Sequence, residues 1–253
     1  MNTLIEVKDL RKQYGAHTAL DSLSFSVEDN EIFGFLGPNG AGKSTTMNII
    51  TGYLAPTSGT VSIDGHDIIE DPVGAKRLIG YLPEIPPLYM EMTPREYLKF
   101  VAEARGVKKT DIRSEIDRVM EKVAITDVSD RLIKTLSKGY RQRVGMAEAI
   151  IGDPKIIIMD EPTVGLDPLQ IIEFREMIRE LGKDHTVILS SHILAEVSEI
   201  CHKIMIIVKG RLVAIDTPEN LAKAIGGDSE NMSLEDIFLN FVEKEGERLA
   251  DDL

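Results

Sequence analysis

Apolar residues fall into different patterns along this chain, and the pattern changes twice. Up to about residue 90 they form short runs broken by Gly, Pro and Asn, the punctuation of β-strands. Strands are expected at 4–7, 23–27, 32–36, 61–63 and 79–82, with one helix, from Lys43 to about Thr51, among them. From Thr93 to about Ile151 apolar positions recur every three or four residues, the period of a helix with one buried face. Helices are expected at 95–104, 111–123 and 139–151. Thr93-Pro94-Arg95-Glu96 opens the first of them: a Thr cap, Pro at the first helical position, and a Glu able to bond back to the cap. Beyond 151 the two patterns alternate. Strands at 155–159 and 187–190 are each followed by a helix, at 169–181 and 193–200. A hairpin at 204–208 and 212–215, turning at Lys209-Gly210, closes the series. Strand–helix alternation predicts an α/β fold with a largely parallel sheet. The all-helical stretch, about 88–152, predicts a separate lobe inserted into it. No internal repeat is present.

Composition narrows the class. The 253 residues are 43% hydrophobic and 28% charged, an ordinary globular mix with enough apolar material for a sizeable core. The 29 basic and 42 acidic residues leave −13. A chain this acidic is poorly suited to wrapping DNA or RNA, so no nucleic-acid partner is expected, nor a polybasic lipid anchor. No stretch approaches the ~18–20 apolar residues that span a bilayer. The first ten residues lack a basic region followed by an apolar one, so no signal peptide is expected. Cys201 is the only cysteine, which excludes an intrachain disulfide and points to a reducing compartment.

The acidity is uneven. Residues 228–253 hold nine Asp/Glu and two Lys/Arg, a net −7. With Gly226-Gly227 just ahead, this places a boundary near 225, a main domain over 1–225 and an acidic helical extension over 226–253. Ser233 can cap a helix starting at Leu234, with Asp236 at its third position and Ile237, Phe238 and Phe241 on its apolar face.

Two strings carry chemistry. Gly37-Pro38-Asn39-Gly40-Ala41-Gly42-Lys43-Ser44-Thr45 fits the phosphate-binding loop pattern, and it stands between an expected strand and an expected helix as that loop must. Its glycines let backbone N–H groups close around phosphate oxygens, and the helix N-terminus adds partial positive charge. Lys43 reaches the β- and γ-phosphates, and the Ser44 hydroxyl can ligate magnesium. The second string is Ile156-Ile157-Ile158-Met159-Asp160-Glu161-Pro162, a buried strand ending in acids. In an α/β sheet ligands sit at that end. Asp160 there would hold magnesium, directly or through water, and Glu161 would orient and deprotonate an attacking water.

Other strings are ambiguous alone. Leu136-Ser137-Lys138-Gly139-Tyr140-Arg141-Gln142-Arg143 reads as a Ser-capped helix start, Tyr14 as a packing residue, and His192 as a structural histidine at a strand end. Taken together, however, residues 1 to about 220 resemble the ATP-binding-cassette (ABC) ATPases. In that family a signature, L-S-G-G-Q, lies between the phosphate loop and the acidic strand, as this string does. Here Lys138 replaces a Gly and Tyr140 a Gln, while Ser137 and Gly139 remain. The resemblance implies a P-loop NTPase core with a mostly parallel sheet, an N-terminal antiparallel β subdomain and an inserted α-helical lobe. It implies that Ser137 and Gly139 bind the γ-phosphate of ATP held by a second ABC ATPase chain, identical or not. Tyr14 then stacks on adenine and His192 contacts the γ-phosphate. Ile79-Gly80-Tyr81-Leu82-Pro83-Glu84 matches the loop joining core to lobe. Glu84 stands where the family usually has Gln, near magnesium and water. Gly165-Leu166-Asp167 matches the loop that crosses the dimer. His17, His66, His185 and His202 match no motif and read as structural or surface residues.

The resemblance further implies an ATP-hydrolysing subunit that energises a separate transmembrane permease from the cytoplasmic side of the membrane. The 82–84 loop, the signature and the 234–238 segment look like the exporter branch. A soluble ABC ATPase of ribosomes or DNA is the alternative. Such proteins usually carry two cassettes, a long coiled coil or zinc-binding cysteines, and this sequence has none of these. A binding module that no longer hydrolyses ATP is a third class, against which both Glu161 and His192 stand.

Overall fold

The computed structural model describes residues 3–224 and, beyond them, Asp236, Phe238, Leu239 and Phe241. Four strands, β1 (Thr3–Tyr14), β2 (His17–Glu28), β4 (Ser58–Ile63) and β5 (His66–Asp67), form an antiparallel sheet in the order β2-β1-β4-β5. Six others, β3 (Ile32–Leu36), β6 (Ile79–Leu82), β7 (Ile156–Asp160), β8 (Thr186–Ser191), β9 (Lys203–Val208) and β10 (Arg211–Asp216), form a second sheet in the order β10-β9-β3-β8-β7-β6. Five of these run parallel, and β10 pairs antiparallel at the edge.

The five parallel strands of the second sheet read as largely apolar runs because both their faces are buried. The pleat sends alternate residues to two different cores. Phe33, Phe35, Ile156, Ile158, Ile188, Met205 and Ile207 pack with the antiparallel sheet and with α1 (Lys43–Ile50). Ile32, Leu36, Ile157, Met159, Val187, Leu189, Ile204 and Ile206 face the other way. There they meet the inserted helices α3 (Pro94–Ala104), α4 (Ile112–Lys122) and α5 (Lys138–Ile150), together with α6 (Pro168–Leu181) and α7 (Leu194–Ile200). Phe25 of one sheet touches Phe33 and Phe35 of the other, with ring centroids 6.1 and 5.5 Å apart. Cys201 is buried against Gly34, and burial pushes its thiol well above the usual range.

The lobe enters between β6 and β7. Its first helix starts as expected: the Glu96 N–H donates to Thr93 Oγ1 and the Thr93 N–H to Glu96 Oε2. Tyr97 donates its hydroxyl to Glu148 at 2.6 Å, joining α3 to α5. Burial is the main reason the Glu148 carboxyl lies above its ordinary range.

Some elements differ from the pattern. β1 and β2 each run 12 residues, where only 4–7 and 23–27 alternate clearly. Left-handed backbone at Asp9 (φ 48) and Ser22 (φ 53), together with shifts in the β1–β2 register, breaks the period-two pattern without ending the pairing. The helices α2 (Pro72–Arg77) and α8 (Pro218–Ala224) and the strand β5 are too short for a period to show. Asp71 does mark the start of α2, since its carboxylate accepts the Gly74 N–H. In the acidic extension, Ser233, Leu234, Ile237 and the boundary near 225 lie outside the described residues. Phe238 and Phe241 are helical and pack on the core that holds the lobe, whereas Leu239 is exposed.

A Cβ on Gly80 would collide with the backbone carbonyl of Ala149, so β6 and α5 approach too closely for any side chain there. Gly80→Ala is expected to destabilise the fold by about 1–3 kcal/mol, as overpacking does. Thermal melting checks it, and an unchanged midpoint would show that core and lobe tolerate separation.

Candidate active site

The phosphate loop leaves the sheet between β3 and α1. Gly37 lies so close to the Ile207 carbonyl that a Cβ would strike it. Gly42 adopts φ 106 at the N-cap of α1, a conformation that only glycine takes readily. Lys43 is 6% exposed and donates to the carbonyls of Gly37 (2.8 Å) and Pro38 (3.4 Å). The β9–β10 hairpin braces this loop. Lys209 and Gly210 both have positive φ, 48 and 79, as a two-residue hairpin turn requires. The Gly210 N–H donates to the Ala41 carbonyl, and the Gly210 carbonyl accepts the Asp21 N–H, each at 2.9 Å.

The acids stand beside it at the end of β7. Asp160 Oδ1 accepts hydroxyl protons from Ser190 at 2.6 Å and from Ser44 at 3.2 Å. The Ser44 hydroxyl keeps its lone pairs for a cation. Glu161 is left-handed, φ 48, an uncommon state for a side chain of this kind. Its N–H donates to the Ser190 carbonyl (3.2 Å) and to Ser190 Oγ (3.0 Å), which holds that turn. Its carboxylate faces two partners. Oε1 is 3.5 Å from Lys43 Nζ. Oε2 lies 2.8 Å from His192 Nδ1 and accepts the His192 N–H at 3.3 Å. Facing a carboxylate, Nδ1 is the ring nitrogen that carries the proton.

These groups share one cleft of about 610 Å³. It is lined by Tyr14, residues 39–45, Glu84, Glu161 and His192, with His17, Ala19 and Val164. Tyr14 ends β1 half-exposed, with the Lys12 ammonium 5.1 Å from its ring centre. His17, read as structural or surface, is exposed, and β2 places it at the cleft mouth. Ser190 gave no signal in the sequence and Gly210 signalled only a turn, because each acts on the site through contacts between distant segments. The remaining histidines are structural. His185 bonds the Pro154 carbonyl, His202 accepts the Ile32 N–H, and His66 pairs with Asp71 on the surface.

Ser137 and Gly139 line no part of this cleft. Ser137 caps α5, accepting the Tyr140 N–H at 3.3 Å. Gly139 is pressed against the Gln170 side chain, and Lys138 reaches over Gly165. The donor set fits a magnesium–nucleotide: loop N–H groups and Lys43 for phosphates, and hard oxygens from Ser44 and Asp160 for magnesium.

Known proteins match over much of the chain. A family model described as ABC transporter covers residues 20–164. The chain is 38% identical to the uncharacterized ABC transporter ATP-binding protein YhcH of Bacillus subtilis (strain 168), over 98% of this chain and 78% of that one. The chain belongs to the ABC transporter family. It is an ATP-binding, ATP-hydrolysing subunit of that family. The bacitracin transport ATP-binding protein BcrA of Bacillus licheniformis is 39% identical to it over 84% of this chain and 69% of that one. A solved structure of the ATP binding subunit of an ABC transporter superposes with TM-score 0.85 and 33% identity, covering 94% of this chain and 99% of that one. In this ABC ATPase, Lys43→Ala removes a buried cation from the phosphate loop. Nucleotide affinity is expected to fall on the order of 10- to 100-fold, the worth of a hydrogen bond to a charged group. Titration with a fluorescent ATP analogue checks it, and unchanged affinity would place the nucleotide elsewhere.

Proposed function

We propose that this ATPase works as one of a pair of ABC ATPase chains, bound to a separate permease, and that ATP-driven pairing powers export. The observation that carries the reading is the split just described. One cleft gathers Lys43, Ser44, Glu161 and His192, with Asp160 bonded to Ser44, while Ser137 and Gly139 stand apart on the lobe. A capped helix start with bare N–H groups suits phosphate, and a second chain arranged head-to-tail supplies it. Two-fold symmetry then builds two sites at once.

Within each site, loop N–H groups and Lys43 hold the triphosphate, and Tyr14 packs against adenine. Ser44 and Asp160 would hold magnesium, which would supply charge neutralisation for the transferred phosphoryl group. Glu84 lines the same cleft and would add a second carboxylate to the surroundings of that ion. Glu161 takes the proton of the attacking water. Before nucleotide arrives, Lys43 faces Glu161 at 3.5 Å. Phosphate oxygens compete for that ammonium and free the carboxylate. His192 keeps Oε2 oriented and reaches the γ-phosphate. Hydrolysis removes the group bridging the two chains, and the lobes separate.

The permease reading rests on an exposed apolar band where core meets lobe. Tyr53 and Ile85 are 75% and 79% exposed, and Tyr89, Met90 and Phe100 flank them. Tyr89 sits 5.8 Å from Tyr97 and 5.5 Å from Phe100, centre to centre, a ready seat for a short amphipathic helix. Among the described residues no helix is long and apolar enough to cross a membrane, so the pore comes from the permease, which holds this chain at the cytoplasmic face.

Two experiments test the reading. Glu161→Gln keeps size but loses the base. Turnover is expected to fall ~10²–10⁴-fold with ATP binding retained, and wild-type turnover would remove Glu161 from the chemistry. For identical partners, mixing Ser137→Arg with Lys43→Ala chains, each inactive alone, puts both lesions in one site of the mixed dimer. Partial recovery of ATPase activity is expected. Full wild-type activity from an isolated monomer at high dilution would rule out shared sites.

A further inference from the structure

Glu196 lies in the first turn of α7, behind the active site, and is 3% exposed. Its Oε2 accepts two hydroxyl protons, from Thr163 at 2.7 Å and from Ser191 at 3.2 Å. Both hydroxyl residues are themselves buried. Its other oxygen, Oε1, is buried with no hydrogen-bond partner, and no Lys, Arg or His pairs with it among the described residues. An acid buried without a cation is costly. A Leu would fill the space without that cost, so packing alone does not account for a carboxylate here.

The two hydroxyls belong to two different loops of the reaction centre. Thr163 follows Glu161 by two residues, in the turn where the Val164 N–H donates to the Glu161 carbonyl at 3.3 Å. Ser191 precedes His192, and its hydroxyl also accepts the Ile193 N–H at 3.0 Å, shaping the turn that presents the histidine. Glu161 and His192 meet in front at 2.8 Å. Glu196 joins the same two loops behind. Without that joint, the Ser190 contacts and the Glu161–His192 bond remain to hold the loops after β7 and β8 together at the reaction centre.

We infer that Glu196 is a positioning residue for ATP hydrolysis: by accepting from Thr163 and Ser191 together, it fixes the distance between the Glu161 and His192 turns. This rests on the proposed role of Glu161 in the chemistry. It is distinct from nucleotide binding, because Glu196 touches neither the phosphate loop nor the cleft lining.

Steady-state ATPase kinetics and nucleotide titration of the purified full chain test it. Glu196→Leu is expected to lower kcat about 10- to 100-fold, the scale of a misplaced reacting group, with nucleotide affinity within about twofold of wild type. Glu196→Gln, whose carbonyl oxygen can still accept both hydroxyls, is expected to recover most of kcat. Thr163→Val and Ser191→Ala disturb the fold less, and each is expected to lower kcat by several-fold. Neither should lower it further in the Glu196→Leu background. Glu161→Gln serves as the reference, and adding Glu196→Leu to it should change little. Wild-type kcat in Glu196→Leu or in Thr163→Val, a Gln variant as slow as the Leu one, or equal losses in kcat and affinity would each overturn the inference. If Glu161→Gln is slow while Glu196→Leu is not, the inference alone falls. If Glu161→Gln turns over at the wild-type rate, the role of Glu161 falls and takes the inference with it.

Discussion

Three parallel strands end side by side in this protein, and its chemistry depends on that alignment. Leu36 of β3 pairs with Ser191 of β8, and Asp160 of β7 pairs with Ser190 of β8. The phosphate loop, the acidic turn and the histidine turn therefore leave the sheet at one level. Ser190, in the middle strand, bonds Asp160 through its hydroxyl, and the Glu161 N–H through both hydroxyl and carbonyl. A slip of one residue between β7 and β8 would turn every side chain of one strand to the opposite core. The register is thus fixed by apolar burial on both faces, and the active site inherits its precision from the core.

The same two-faced core separates two tasks. The face toward the antiparallel sheet and α1 is closed by the Phe25–Phe33–Phe35 cluster and braces the nucleotide cleft. The face toward the lobe carries α3, α4 and α5, and through them the signature and the exposed aromatic band. Gly80 and Gly145 allow close packing where β6, the following segment and α5 meet, since a Cβ on either would collide with its neighbours. A tight joint of this kind moves as a unit, as the proposed pairing and opening of two chains would require.

Lys43, Glu161 and Asp160 already have partners within the cleft. Lys43 is satisfied by two carbonyls and Glu161, and Asp160 by two hydroxyls. On the proposed reading, a triphosphate with its cation would compete for these same groups. The left-handed backbone at Glu161 belongs to the same design, since strained residues persist where surrounding contacts hold them.

Much of this was legible in the residues themselves. The glycines, Lys43 and Ser44 announce a phosphate loop because only that spacing of small, cationic and hydroxyl groups closes a backbone around phosphate. Ile156 to Asp160 announces a buried strand ending in acid, and the Thr93 capping box marks the first turn of α3. All three are local signals, set by one stretch of chain. The long pairing of β1 with β2 was hidden by bulges that break the alternation yet keep the hydrogen bonds. His17 at the cleft, Ser190 between Asp160 and Glu161, Gly210 against the phosphate loop and Glu196 between Thr163 and Ser191 each join segments far apart in sequence. The sequence by itself determined which groups this protein brings to ATP. Tertiary structure decided which of them face one another, because hydrogen bonds between separate strands depend on register and packing, which no single stretch of chain contains.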